Sequence, residues 1–208
     1  MSLQGNNRVF RRTVARRLAT SILLLLLLSK QVSASGGDPN VVEIKLDPAR
    51  TTIHWTLKDV LHTVHGTFRL QRGSVSFDMS TGRADGLVEV DAKSGESGSS
   101  ARDEHMHKHV LESSKYPIIR FRPERASGRF NSTSPQVITV DGIFQMHGQD
   151  HPLQMQLAVR PNGNSYSATT HFKVPYVAWG LKDPSTFLLH VSNEVDIDVE
   201  TTTAPVLP

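Results

Sequence analysis

The residues of this chain best suited to chemistry are three histidines within five positions, His105-Met106-His107-Lys108-His109, with Glu112 three residues further on. Imidazoles at that density can supply nitrogen ligands to Zn, Cu or Ni, and they titrate at about pH 6.5, where envelope compartments follow external acidity. How many of them converge depends on the element beneath. On a strand all three share one face. On a helix His105 and His109 are neighbours, His107 faces nearly the opposite way, and Glu112 falls beside His109 as a third donor. A metal-binding protein or metal-dependent enzyme using His105 and His109 is therefore one reading, and an exposed, His-rich helix without a resident metal is the other. No other common catalytic pattern competes. Gly95-Glu96-Ser97-Gly98-Ser99 approaches a nucleophile elbow but lacks its final glycine and lies in a Gly/Ser-rich loop. No phosphate-cradling Gly-x4-Gly-Lys-Ser/Thr, no Gly-x-Gly-x-x-Gly and no His-Glu-x-x-His occurs. With no cysteine, thiol nucleophiles, disulfides, Cys zinc sites and a lipoprotein anchor are excluded.

The elements that must position these groups are read from periodicity. Alternating apolar residues recur between Gly, Pro, Asn and Asp clusters: Ile53, Trp55 and Leu57; Val64, Gly66, Phe68 and Leu70; Val75 and Phe77; Val88 and Val90; Ile119 and Phe121. The pattern continues with Ile138, Val140, Gly142, Phe144 and Met146, then Leu153, Met155, Leu157 and Val159, then, past an Asn162-Gly163 hairpin signal, Tyr166, Ala168, Thr170 and Phe172. Phe187, Leu189 and Val191, then Val195, Ile197 and Val199, supply the last strands. Period two with one polar face predicts an all-β domain of eight or more strands. Such a sheet closes into a barrel or splits into a sandwich, and an eight-stranded interior is either filled by side chains or holds one small elongated ligand. One segment departs from the pattern. Ser100-Ala101-Arg102-Asp103 reads as a capping-box start, and the near absence of β-branched residues from Arg102 to Glu112 predicts one short helix near residues 100–113, with Met106 and Val110 resting on the sheet.

Charge separates the chain into two parts. The formal net charge is +3, yet residues 1–34 carry Arg8, Arg11, Arg12, Arg16, Arg17 and Lys30 with no acid. Removing those six bases leaves 17 Lys and Arg against 20 Asp and Glu, so a general attraction to nucleic acid is not expected. An Arg-rich start, an apolar run over 18–28 and Val32-Ser33-Ala34 have the three-part layout of a cleaved signal peptide. The apolar run is too short for a permanent membrane span. The expected organisation is a signal peptide at 1–34, a flexible leader at 35–42, a β domain at 43–201 and a tail at 202–208, with the mature protein periplasmic or secreted.

Several motifs, in order, resemble the YceI-like family of exported lipid-binding or polyisoprenoid-binding proteins. They are Leu46-Asp47-Pro48 before Thr52-Ile53-His54-Trp55, His62-Thr63-Val64-His65-Gly66-Thr67-Phe68, Arg102-Asp103-Glu104-His105-Met106, Lys115-Tyr116-Pro117 with Ile119 and Phe121, and Val140-Asp141-Gly142. The resemblance implies an eight-stranded antiparallel, lipocalin-like barrel with a short helix near its mouth, no settled catalytic activity, no cofactor beyond a bound isoprenoid-type lipid, and frequent pairing as a homodimer. It places Arg102, Asp103 and His105 at the mouth, where they either touch a ligand's polar head or serve as a helix cap and a loop pin. Where family members commonly carry an Arg, this chain has Tyr176, in Tyr176-Val177-Ala178-Trp179-Gly180, which favours a neutral head such as a quinone or amide over a pyrophosphate. Strand alternation then nominates an apolar lining of Trp55, Phe68, Phe77, Val90, Phe121, Val140, Phe144, Met155, Leu157 and Phe172. The expected function is that of a non-catalytic protein that sequesters or transports a polyisoprenoid, an isoprenoid quinone, or a fatty amide or acid.

Overall fold

The computed structural model describes residues 40–129, 133–187 and 190–206. The segment read as a signal peptide, 1–34, and most of the leader lie outside the described residues. Ten antiparallel strands form one sheet: β1 (Val41–Leu46), β2 (Thr51–Lys58), β3 (Thr63–Asp78), β4 (Ala84–Glu96), β5 (Ile118–Ser127), β6 (Gln136–Met146), β7 (Gln149–Asn162), β8 (Ser165–Val174), β9 (Val195–Thr203) and β10 (Pro205–Val206). The order β3-β2-β9-β8-β7-β6-β5-β4 returns to β3 through a β3–β4 ladder, so eight strands close a barrel. Closure leaves no long edge among those eight strands.

Strand β3 makes the closure possible because it is long enough to serve two partners on one edge. Its first half pairs with β2, from Lys58↔Thr63 to Ile53↔Phe68, and its second half with β1, from Leu46↔Gly73 to Val41↔Asp78. A 3-10 turn, Pro48–Arg50, separates β1 from β2, and the Asp47 carboxylate caps it by accepting from the Ala49 N–H at 2.9 Å. The inward residues of β3 switch from even to odd numbers between Leu70 and Val75. The ladder shows why: Leu70 pairs with Val90 and Arg72 with Glu89, so Gln71 is the extra residue of a β-bulge. Without that bulge Val75 and Phe77 would face water.

The helix is α1 (Ser100–His105), continued by one wide turn, Met106–Val110, in which the Leu111 N–H donates to the Met106 carbonyl five residues back at 2.8 Å. The capping box expected on Ser100 and Asp103 does not form. The N-cap is Ser99, whose side chain caps nothing, while the Asp103 carboxylate accepts a short hydrogen bond from the Ser97 hydroxyl. Of the strand expected through Phe187, Leu189 and Val191, Leu189 lies outside the described residues, and the described residues show none: Phe187 is 95% exposed and Val191 makes only an isolated bridge to Asp59. The reason is topological. β9 already sits between β2 and β8, so alternation in that segment has no free edge to pair with.

The two barrel ends differ. At one lie α1 with its wide turn, the Asp59–His62 hairpin, the β6–β7 turn and the described residues 175–187 and 190–194; at the other lie the 79–83 and 163–164 turns. Ala92, Leu111, Ile119, Phe144, Met146, Val174, Tyr176 and Leu181 form a buried cluster toward the helix end, and Val42, Ile53, Leu70, Ala84, Val140 and Val159 are buried elsewhere in the barrel. Among the described residues no helix is long and apolar enough to cross a membrane.

Candidate ligand-binding site

The barrel encloses a cavity of about 820 Å³, within the usual range for small-molecule sites. Every one of the ten positions nominated from strand alternation, from Trp55 on β2 to Phe172 on β8, lines it. The register places them in rows across neighbouring strands. Trp55 is level with Ile197 and Phe172, Val140 with Met155, and Val90 with Ile119. Two glycines shape the wall. At Gly66 a Cβ would come within 2.3 Å of the Trp55 indole, and at Gly142 within 2.7 Å of the Phe121 ring, so each aromatic lies across a neighbouring strand where no side chain stands.

The helix end carries the polar groups. Arg102 and His105 line the cavity, and Asp103 does not. Arg102 is chiefly a loop pin, donating from Nε to the Ser97 hydroxyl at 2.7 Å and from Nη2 to the Ser97 carbonyl at 3.0 Å. Tyr176 also borders the cavity, but with its ring: its hydroxyl donates to the Ser192 carbonyl at 2.7 Å, and burial, aided by Asp183, pushes its pKa up to about 12. Asp59 at this end and Asp78 at the other also border the space. Both carboxyls are held below the usual carboxylate range: Asp59 by the Leu61 and His62 N–H groups, and Asp78 by the Ser80 and Thr81 hydroxyls and N–H groups.

The histidine cluster resolves as the helical spacing requires. The His105 and His109 rings lie 4.9 Å apart, and His107 points elsewhere, one ring nitrogen 2.9 Å from the Gly95 carbonyl oxygen and the other 3.0 Å from the Ser113 hydroxyl. The third donor expected from Glu112 is committed to another partner: Glu112 adopts a left-handed φ of 44°, and its carboxylate meets His147 Nε2 at 2.7 Å. Among the described residues no group of three His, Asp or Glu gathers at metal-binding spacing.

Some of the site was not legible beforehand. The turn Pro175–Leu181 folds over the helix end through hydrogen bonds from Trp179 to Pro175 and from Leu181 to Tyr176, and Leu181 and Pro184 join the lining. Trp179 packs on Phe144 and stacks flat on His151, ring centroids 4.2 Å apart and planes within 4°. His151 lies beside Phe144 in the β6–β7 register and so belongs to the inner face, a position that its residue type disguises.

Residues 44–203 match the family described as YceI-like domain. No curated protein matches the chain. Among solved structures, BcnA of Burkholderia cenocepacia superposes with a TM-score of 0.62 at 18% identity, over 76% of this chain and 98% of that one. A polyisoprenoid binding domain from Saccharophagus degradans gives 0.56 at 13% identity, over 79% and 98%. The YCEI protein of Campylobacter jejuni gives 0.53 at 11% identity, over 64% and 79%. At these identities the likeness is one of fold, and it agrees with the closed eight-stranded barrel and its helix. With 44–203 matched as a single unit, the chain belongs to the YceI-like domain family.

Proposed function

We propose that the barrel is a non-catalytic carrier that takes up one elongated, uncharged apolar molecule of the isoprenoid or fatty class and shields it from water outside the cytoplasm. The cavity carries this reading: about 820 Å³ lined along the whole barrel by aliphatic and aromatic side chains. Burying a few hundred Å² of isoprenoid there contributes on the order of 10 kcal/mol before entropic costs. The comparison with a structure described as a polyisoprenoid binding domain supports the ligand class.

The charges around the cavity favour a neutral head. Asp59 and Asp78 are both held ionised, and the guanidinium of Arg102 is engaged by Ser97. A pyrophosphate or free carboxylate entering there would meet two carboxylates and a single guanidinium, Arg102, whereas a quinone, alcohol or amide carries no charge to desolvate. Export rests on the layout of residues 1–34, and pairing as a homodimer rests on the family resemblance.

Organic extraction of protein purified without detergent, followed by mass spectrometry, tests the reading. A long-chain isoprenoid or fatty compound at near one per barrel is the expected result. A clean extract from folded protein that also takes up no such compound on reloading would overturn it.

A further inference from the structure

Most polar side chains that line the cavity already have partners in the protein. At the helix end Asp59 is taken by the Leu61 and His62 N–H groups, Arg102 by Ser97, and the Tyr176 hydroxyl by the Ser192 carbonyl. At the other end the Ser80 and Thr81 hydroxyls donate to Asp78, and the Thr203 hydroxyl donates to the Lys45 carbonyl at 2.8 Å. Three threonines on one stretch of wall depart from this rule. Thr170 lines the cavity on β8, and its Oγ1 is sealed from solvent with no hydrogen-bond partner among the described residues. Thr51 and Thr201, each 8% exposed, bond to each other through their hydroxyls at 2.8 Å and to no other described side chain.

A hydroxyl carries one proton and two lone pairs. The Thr51 and Thr201 pair uses one of its two protons, so one donor is left over whichever hydroxyl gives. Register brings the three threonines together. Thr51, Thr201 and Ala168 lie level across β2, β9 and β8, and Thr170 is the next inward residue from Ala168 on β8, diagonally opposite Thr201. Ala168 has the smallest side chain on this stretch and leaves room beside both hydroxyl groups. Level with Thr170 are Val199 and Leu157, and level with Ala168 is Val159, so no charge stands at the spot. Trp55 Nε1 is also without a partner, but its indole lies over Gly66 on β3, the side of β2 away from β9.

A buried hydroxyl left unpaired is costly, and an oxygen on the guest satisfies it without bringing a charge into an apolar wall. An anionic head would find no cation there. From this we infer that Thr170 and the Thr51 and Thr201 pair form the head-group subsite of the cavity. They hold an uncharged, oxygen-bearing head, such as a quinone, amide or alcohol, in the half of the barrel away from α1, and the tail runs past Phe172 and Phe144 toward the helix end. The inference rests on the carrier reading and adds to it the direction of the cargo and the chemistry of its head.

Two measurements test it. The first compares a short-chain isoprenoid quinone with the same tail carrying a phenyl ring, which has no oxygen. Thr170→Val keeps the side-chain shape and removes the hydroxyl, so its thermal midpoint should hold or rise. Its affinity for the quinone should fall about tenfold while affinity for the phenyl compound holds. Thr51→Val/Thr201→Val should show the same selective loss. If quinone affinity is unchanged in either variant, or both ligands weaken alike, the hydroxyls serve only the wall or a trapped water and the subsite is wrong.

The second measurement reads direction from the two tryptophans of the chain, since quinones quench indole emission on contact. Trp55 is level with Phe172, the inward neighbour of Thr170, whereas Trp179 lies in the turn over the helix end. Bound quinone should therefore quench Trp55 in Trp179→Phe more strongly than Trp179 in Trp55→Phe. Equal or stronger quenching of Trp179 overturns the subsite. An unaltered protein that takes up neither ligand overturns the carrier reading itself, whereas uptake without selectivity for the hydroxyls sinks the subsite alone.

Discussion

The indole of Trp55 occupies the space that a side chain at Gly66 would need: a Cβ there would lie 2.3 Å from Trp55 Cε2 and Cζ2 and 2.2 Å from the Glu96 carbonyl oxygen. The two residues pair directly between β2 and β3, so ring and glycine are one packing unit in the barrel wall. Gly66→Ala is expected to cost about 1–3 kcal/mol in chemical denaturation, the range for overpacking. It should also shift tryptophan emission as the indole is displaced. Gly142→Ala should behave alike in stability by driving Phe121 inward, without the emission change.

Filling the cavity from a small inward residue separates binding from folding. Ala168 lines the space on β8, level with Val159 and Thr201. Ala168→Phe places a ring where there is room for one, so the thermal midpoint should hold or rise. Uptake of a polyene alcohol should weaken at least about tenfold. Retained uptake would mean that the ligand lies elsewhere.

Acid should loosen the helix end through His151. Burial on Trp179 lowers its pKa from the usual imidazole value of 6.5, with Asp150 opposing more weakly. The fold therefore prefers the neutral ring. That contribution is complete above pH 6.5 and is lost as pH falls through the depressed native value. His109 shifts in the same direction, through burial first and then His105, Lys108 and Lys182. His151→Phe keeps the stack and removes one titration, so its denaturation midpoint should fall less steeply than the parent's between about pH 7 and 5. Parallel curves would refute the assignment.

Glu89 is the anchor of an ion ladder on the outer face, bonded to Arg72 and, at 2.7 Å, to Arg120, which continues to Gln145 at 3.0 Å. Only 6% of the Glu89 side chain is exposed, whereas Arg72 is 70% exposed and Arg120 38%, so solvent screens much of the attraction. Glu89→Ala should cost about 1 kcal/mol, because water rehydrates the exposed Arg72 and Arg120 guanidinium groups once their partner is gone. Hydrogen bonds from Arg72 and Arg120 hold the carboxyl below its usual 4.5, so its contribution is present above that pH and disappears as pH falls through the lower native value. Acid unfolding of the variant should be correspondingly flatter.

Much of this molecule follows from local sequence. Alternation of period two marked inward residues on all eight barrel strands, because which way a side chain faces is decided within its own strand. Helical spacing likewise placed His105 beside His109 and turned His107 away. What lay beyond sequence is every choice of partner. The same alternation leaves Phe187 exposed and Val191 in an isolated bridge, because β2, β9 and β8 already saturate each other's edges. Asp103 has the identity of a cap and bonds Ser97 instead, and Glu112 has the spacing of a metal ligand and meets His147, 35 residues away. The stack of His151 on Trp179 and the junction of the Asp59 and Val191 loops have no signal at short range. Periodicity is a property of neighbours along the chain and can be read from it; ladder order, loop docking and the partner of a polar group depend on which segments closure brings together, and only the folded barrel decides them.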